Sequence, residues 1–289
     1  MSNHKKNSRL LLNIALVIAI ALLILLVVFE PGLEKESNTS SLLSLDKDQI
    51  TSIRIIHNEE TIQLEKQNDK WVITIPVRAE GNEFKINSLL NLVKTKSHAH
   101  YSPQEIDLAP IRLDKPRSRV FFNETEIAFG DTQPINHQRY VMTGGIVHLI
   151  NDNYYHHTIT TAGNYVSFSL LPPESNIRKI IFPDKSVLEK TDGKWNTKID
   201  ISADNITSLV NDWLYAEAIE VKLYKAEKPD KKVTLYIQGQ ERPVIFYIFR
   251  KEDDVWLINE SLTLKYMLTE EIANKLLDPD SYKKNVSGK

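Results

Sequence analysis

Histidine is the first side chain to weigh for chemistry here, because its ring nitrogens bind metals and carry protons near neutral pH. His98 and His100 stand two apart, a spacing that puts both on one face of a strand, where they could grip a metal. His148, His156 and His157, beside Tyr154 and Tyr155, form a second group and supply the alternative of an envelope metal-dependent hydrolase. Neither group contains His-Glu-x-x-His or a carboxylate at ligand spacing. A surface or packing role is the plainer reading of both, so the sequence nominates no catalytic, cofactor-binding or metal residue and no cofactor.

Other chemistries fare no better. There is no Gly-x-Ser-x-Gly elbow, no Ser-x-x-Lys with Lys-Thr-Gly, and no Gly-rich phosphate loop. With no cysteine at all, the chain has no disulfide, thiolate zinc site or Cys nucleophile. Lys251-Glu252-Asp253-Asp254 is acidic but lacks the alternating oxygen ligands and Gly of a calcium loop, and reads as a solvated turn. Gly144-Gly145 has no following Lys-Ser/Thr helix and reads as a hairpin turn. Trp71, Trp195 and Trp256 open strands; such aromatics can stack on sugars, but a tryptophan recurring at one position more often anchors a core. The charge, 36 Lys+Arg against 38 Asp+Glu, offers no basic face for nucleic acid. No enzyme activity is therefore expected.

The elements that would position these residues come in two series. Leu64-Glu65-Lys66-Gln67-Asn68-Asp69-Lys70-Trp71 returns as Leu188-Glu189-Lys190-Thr191-Asp192-Gly193-Lys194-Trp195. Asn-Asp and Asp-Gly each suit the positive φ of a tight hairpin. Neighbouring matches follow in the same order. Ser41-Leu42-Leu43 pairs with Ser169-Leu170-Leu171, Ile53-Arg54 with Ile177-Arg178, and Ile86, Leu89, Leu90 with Ile206, Leu209, Val210. Colinear echoes of this kind are what a tandem duplication leaves. In each half the last set has helical spacing and extends to Val93 or Trp213. Short alternating strands surround both helices, and a last helix starts at Thr269.

Residues 10–29 carry one polar side chain, Asn13, and no charge, a length that matches the roughly 20 residues needed to cross a bilayer. No small-residue cleavage site follows, so an uncleaved anchor is expected. Lys5, Lys6 and Arg9 precede the run, whereas Glu30, Glu34 and Glu36 follow with only Lys35. The positive-inside rule then keeps the N-terminus in the cytoplasm and exports the rest to the periplasm. The predicted fold class is α+β: an N-terminal transmembrane helix, then two tandem related units of mostly antiparallel sheet with one main helix each. The divisions are 1–9 in the cytoplasm, 10–29 in membrane lipid, 30–44 a linker, 45–171 and 172–280 the two units, and 281–289 a tail.

The order Trp71-x-Ile73-x-x-Pro76, Leu113-x-x-Pro116, Phe129-Gly130, Arg139-Tyr140-Val141 and Val147-x-Leu149-Ile150 resembles the bacterial domain of unknown function 4340. The likeness covers most of 50–171; the second half lacks Phe-Gly. It implies a membrane-anchored envelope protein associated with ABC-type permeases, and it carries no catalytic residues. The expected function is an exported, non-catalytic interaction domain, an accessory subunit of an envelope transport or assembly complex with a membrane-protein partner. A binding module for glycan or lipoprotein, using a cleft between the two units, is the other alternative.

Overall fold

A computed structural model describes residues 14–24, 41–225, 229, 231–252 and 254–286. The chain divides into two units, Met1–Ser40 and Ser41–Lys289. In the first, a helix α1 covers residues 14–24, with its apolar side chains exposed.

The larger unit begins with the hairpins of β1 (Ser52–His57), β2 (Glu60–Gln67), β3 (Lys70–Ile75) and the two-residue β4 (Ala79–Glu80). Alternation sends Ile53, Ile55, Ile62, Leu64, Trp71 and Ile73 to one buried face. Asn68 and Asp69 turn the second hairpin at φ 48° and 62°. Helix α2 (Glu83–Leu90) follows; Asn82 Oδ1 accepts from Lys85 N at 3.1 Å and caps it. Then come β5 (Ala99–Tyr101), β6 (Ser118–Phe122), β7 (Thr125–Thr132), β8 (Arg139–Thr143), β9 (Ile146–Ile150) and the one-turn helix α3 (Tyr155–Thr158).

The second series is β10 (Ile177–Ile181), β11 (Val187–Thr191), β12 (Lys194–Thr197), helix α4 (Ala203–Tyr215), β13 (Glu220–Leu223), β14 (Lys231–Ile237), β15 (Val244–Lys251), β16 (Asp254–Asn259), β17 (Leu264–Leu268) and helix α5 (Glu270–Leu277). Ser202 caps α4 through Asn205 N, and Trp213 Nε1 donates to Leu276 O at 3.0 Å, tying α4 to α5.

The strands form two antiparallel sheets, ordered β4-β3-β2-β1-β6-β7-β8-β9-β5 and β12-β11-β10-β14-β15-β16-β17-β13. Apart from β4, the two orders are the same. In each, the strand after the main helix joins the far edge, entered by His98 N donating to Leu149 O or Ile219 N donating to Met267 O.

Residues 162–171 knit the sheets together. Val166 bridges Gly81, Ser167 N donates to Glu80 O, and Ser169 bridges Glu217, as Ser41 bridges Lys96 in the first series. Ahead of them, a Cβ on Gly163 would stand 1.9 Å from Val221 O, so β13 approaches where only glycine fits. One continuous hydrophobic core runs through both sheets.

These observations correct the expected fold class. The body is not α+β but predominantly antiparallel β, with seventeen strands and few helices among the described residues. The first helical stripe was overextended: Val93 lies in a 3-10 turn, Asn91–Lys94, after α-helical bonding has ended at Leu90. The expected transmembrane helix over 10–29 is corrected as well. Residues 10–13 and 25–29 lie outside the described residues. Among the described residues no helix is long and apolar enough to cross a membrane. Residues 1–9, 30–40 and 287–289 of the expected termini and linker also lie outside them.

Candidate functional site

The structure redistributes the histidines. His100 faces His148 across the β5–β9 ladder, with ring centroids 6.5 Å apart. His148 Nδ1 lies 3.0 Å from Ser97 Oγ, and burial, then the neighbouring His100, lowers its pKa. His98 enters the same edge strand one residue ahead of β5. His156 and His157 sit instead on α3 with rings 4.0 Å apart. Burial first, then His156 and Lys85, press His157 down to about 4, so its ring is neutral at pH 7. The trio His148, His156 and His157 is thus split between β9 and α3, and among the described residues no group of three or more His, Asp or Glu is placed to hold a metal ion.

The densest polar cluster was marked in the sequence only as part of a signature. Arg139 is buried on β8. It grips Asp152 with Nε and Nη2 at 2.6 and 2.7 Å, and its Nη1 donates to Gly130 O at 2.5 Å. Its guanidinium lies 3.7 Å from the Tyr155 ring centroid. Phe129 packs on the other contact of that ring, centroids 6.2 Å apart. Phe129-Gly130 and Arg139 therefore read as one structural knot: a bidentate ion pair under an aromatic lid. Nothing in the residue types of Asp152 or Tyr155 announced it, because their partner is thirteen or more residues away in sequence and adjacent only through the sheet.

Beside this knot lies a cleft of about 510 Å³ lined by His57, Arg112, Lys115, Arg117, Arg119 and Tyr155. Its cations are largely spent. Asp131 takes Arg117 and, at 3.5 Å, Arg112; Glu126 takes Arg119 at 3.4 Å. His57 Nδ1 donates to Arg117 O at 2.9 Å, which leaves Nε2 to accept from Asn58 Nδ2 at 3.0 Å. Such mutual pairing makes a braced wall rather than an anion trap.

No family model, curated protein or solved structure matches this chain. The site must be read from its own geometry.

The cleft best suited to binding lies where the sheets meet. A hollow of about 620 Å³ is walled by Val72 of β3 and the nearby Arg78, by Leu170 of the joining segment and Pro173 just after it, and by Tyr266 of β17 with Leu262 in the turn before that strand. A second hollow of about 560 Å³ shares Leu170, Pro172 and Leu262 and extends to Tyr247. Pro172 and Pro173 give this floor a rigid course, since proline fixes φ and offers no N–H. Burial, then the charge of Glu80, keeps the Tyr266 phenol protonated far above neutral pH. The surface so made combines apolar side chains with polar and charged ones, among them Lys70, Arg78 and Glu80 in the first hollow and Arg242 and Glu260 in the second.

Trp71 and Trp256 are buried in the protein and cannot serve as sugar platforms, whereas Trp195 is half-covered. Lys251 and Asp254 face each other at the end of the β15–β16 hairpin. Gly144 and Gly145 turn β8 into β9 at φ 57° and 76°.

Proposed function

We propose that this protein is an exported, non-catalytic interaction module, an accessory subunit of a bacterial envelope assembly such as an ABC-type exporter. The observation that carries the reading is the junction cleft, built jointly by both sheets on a proline-stiffened floor. The class of partner rests on the sequence resemblance of 50–171. A periplasmic station at the inner membrane is part of the proposal, supported by the apolar run and charge asymmetry of residues 5–36.

Affinity capture from detergent-solubilised membranes tests it. Wild type is expected to return a multi-spanning permease, and Leu262→Arg, which charges both hollows, is expected to lose it while keeping its circular dichroism. Repeated recovery of the folded protein alone contradicts the reading. Binding to a glycan array through the same cleft, without permease, would replace the partner with a carbohydrate.

A further inference from the structure

The two sheets differ at one edge. In the first, β4 covers β3, with Ala79 opposite Ile73, Glu80 opposite Val72, and Gly81 N donating to Trp71 O at 2.7 Å. The hairpin registers equate Trp71 with Trp195 and Val72 with Asn196, since Lys66↔Trp71 and Glu65↔Val72 correspond to Lys190↔Trp195 and Glu189↔Asn196. Among the described residues no β4 equivalent follows β12, which ends its sheet. The consequence is visible in the packing: Trp71 is 4% exposed and Ile86 0%, whereas Trp195 is only half-buried and Ile206 is 7% exposed. Asn196, Thr197 and Lys198 line a cleft of about 750 Å³ together with Pro279 and Lys283.

We propose that the open edge of β12 is a docking site for an extended segment of a partner protein, added antiparallel in the place β4 takes on β3. An exposed edge offers a row of backbone donors and acceptors that a strand from another chain can satisfy. The occupant of the equivalent seat defines the chemistry of this one. It is a small residue, then an acid, then glycine, as in Ala79-Glu80-Gly81. Glycine is required because a Cβ on Gly81 would meet Ile86 Cδ1 and Trp71 O, both at 2.7 Å, and Ile206 and Trp195 stand at those positions in the second sheet. The acid is taken from the equivalent strand alone: Lys194 shares the face of Asn196, but Asp184, Asp200 and Asp280 line the adjoining cleft, so charge there is mixed. The inference goes beyond the junction cleft and concerns a different surface.

The probe is a synthetic peptide copying residues 77–83 of this chain, titrated into the full protein. Saturable binding is expected, with a Trp195-dependent fluorescence change and backbone NMR shifts centred on Trp195, Asn196, Thr197 and Lys198. The same peptide N-methylated at its glycine cannot donate to the Trp195 carbonyl and is expected to bind at least tenfold more weakly; this control leaves the protein's folding untouched. Absence of saturation, equal binding of the N-methylated peptide, or shifts centred on another surface overturns the proposal. So does self-association through β12 without peptide binding, which would assign the edge to a second copy of the chain. These outcomes are independent of permease capture.

Discussion

The first sheet and the second solve the same problem with different chemistry. Both run through the same strand order, yet the first adds β4 and buries an ion pair where the second buries hydrocarbon. Counting back from the hairpin turns, Arg139 opposite Ile150 in the first corresponds to Val255 opposite Leu268 in the second. Val255 is 1% exposed and needs no partner. A buried charge stays stable only while its partner stays in place, whereas an apolar side chain asks only for contact. All the described histidines also belong to the first series, so its acid response should differ from that of its neighbour.

The largest expected effect sets the two tryptophans against each other. Trp71→Ala should cost about 3–5 kcal/mol, and Trp195→Ala less, roughly 2 kcal/mol, because part of its surface already meets water. Urea unfolding of the two variants measures the gap; equal losses would mean that β4 contributes no cover. Next comes the seam. Gly163→Ala drives a methyl into the Val221 carbonyl and should cost about 3 kcal/mol, read by calorimetry as a lower or split transition. A smaller loss is expected at the knot. Arg139→Met leaves Asp152 and Gly130 O without their donor, at about 2–3 kcal/mol, below the fully buried range because Asp152 keeps 29% of its side-chain surface exposed. Val255→Ile in the same assay, which adds one methylene and strands no polar group, should cost about 1 kcal/mol.

The smallest effect is the pH dependence. His157 is held near 4 in the folded protein, below its value of about 6.5 when unfolded. Between those values the unfolded chain binds the proton more readily, so stability is full above the upper one and falls as pH drops towards the lower. His157→Gln should flatten that slope in melts at pH 7, 6, 5 and 4. An unchanged slope would move the acid response elsewhere.

How much of this was legible depended on how local the signal was. Hairpins announced themselves, since Asn68-Asp69, Asp192-Gly193 and Gly144-Gly145 all take the positive φ that their residue types favour. The start of the last helix at Thr269 was readable for the same reason: its hydroxyl accepts from the Ile272 amide three residues on. β4 was not legible, because two residues carry no period. Neither was α3, a single turn whose Tyr155 matters through Arg139 and Phe129 on distant strands. For the site, the histidines drew attention by residue type, whereas the junction cleft arises from Leu170, Leu262 and Tyr266, whose types are ordinary and whose meeting is purely topological.

Hydrogen exchange at the two equivalent edges most directly tests whether one sheet is closed and the other open. The amides of Val72 and Ile73 on β3 are compared with those of Asn196 and Thr197 on β12 in the full protein. The structure predicts protection of both β3 amides and, on β12, one amide exchanging on the order of 100-fold faster than its counterpart. Equal protection at the two edges would contradict it.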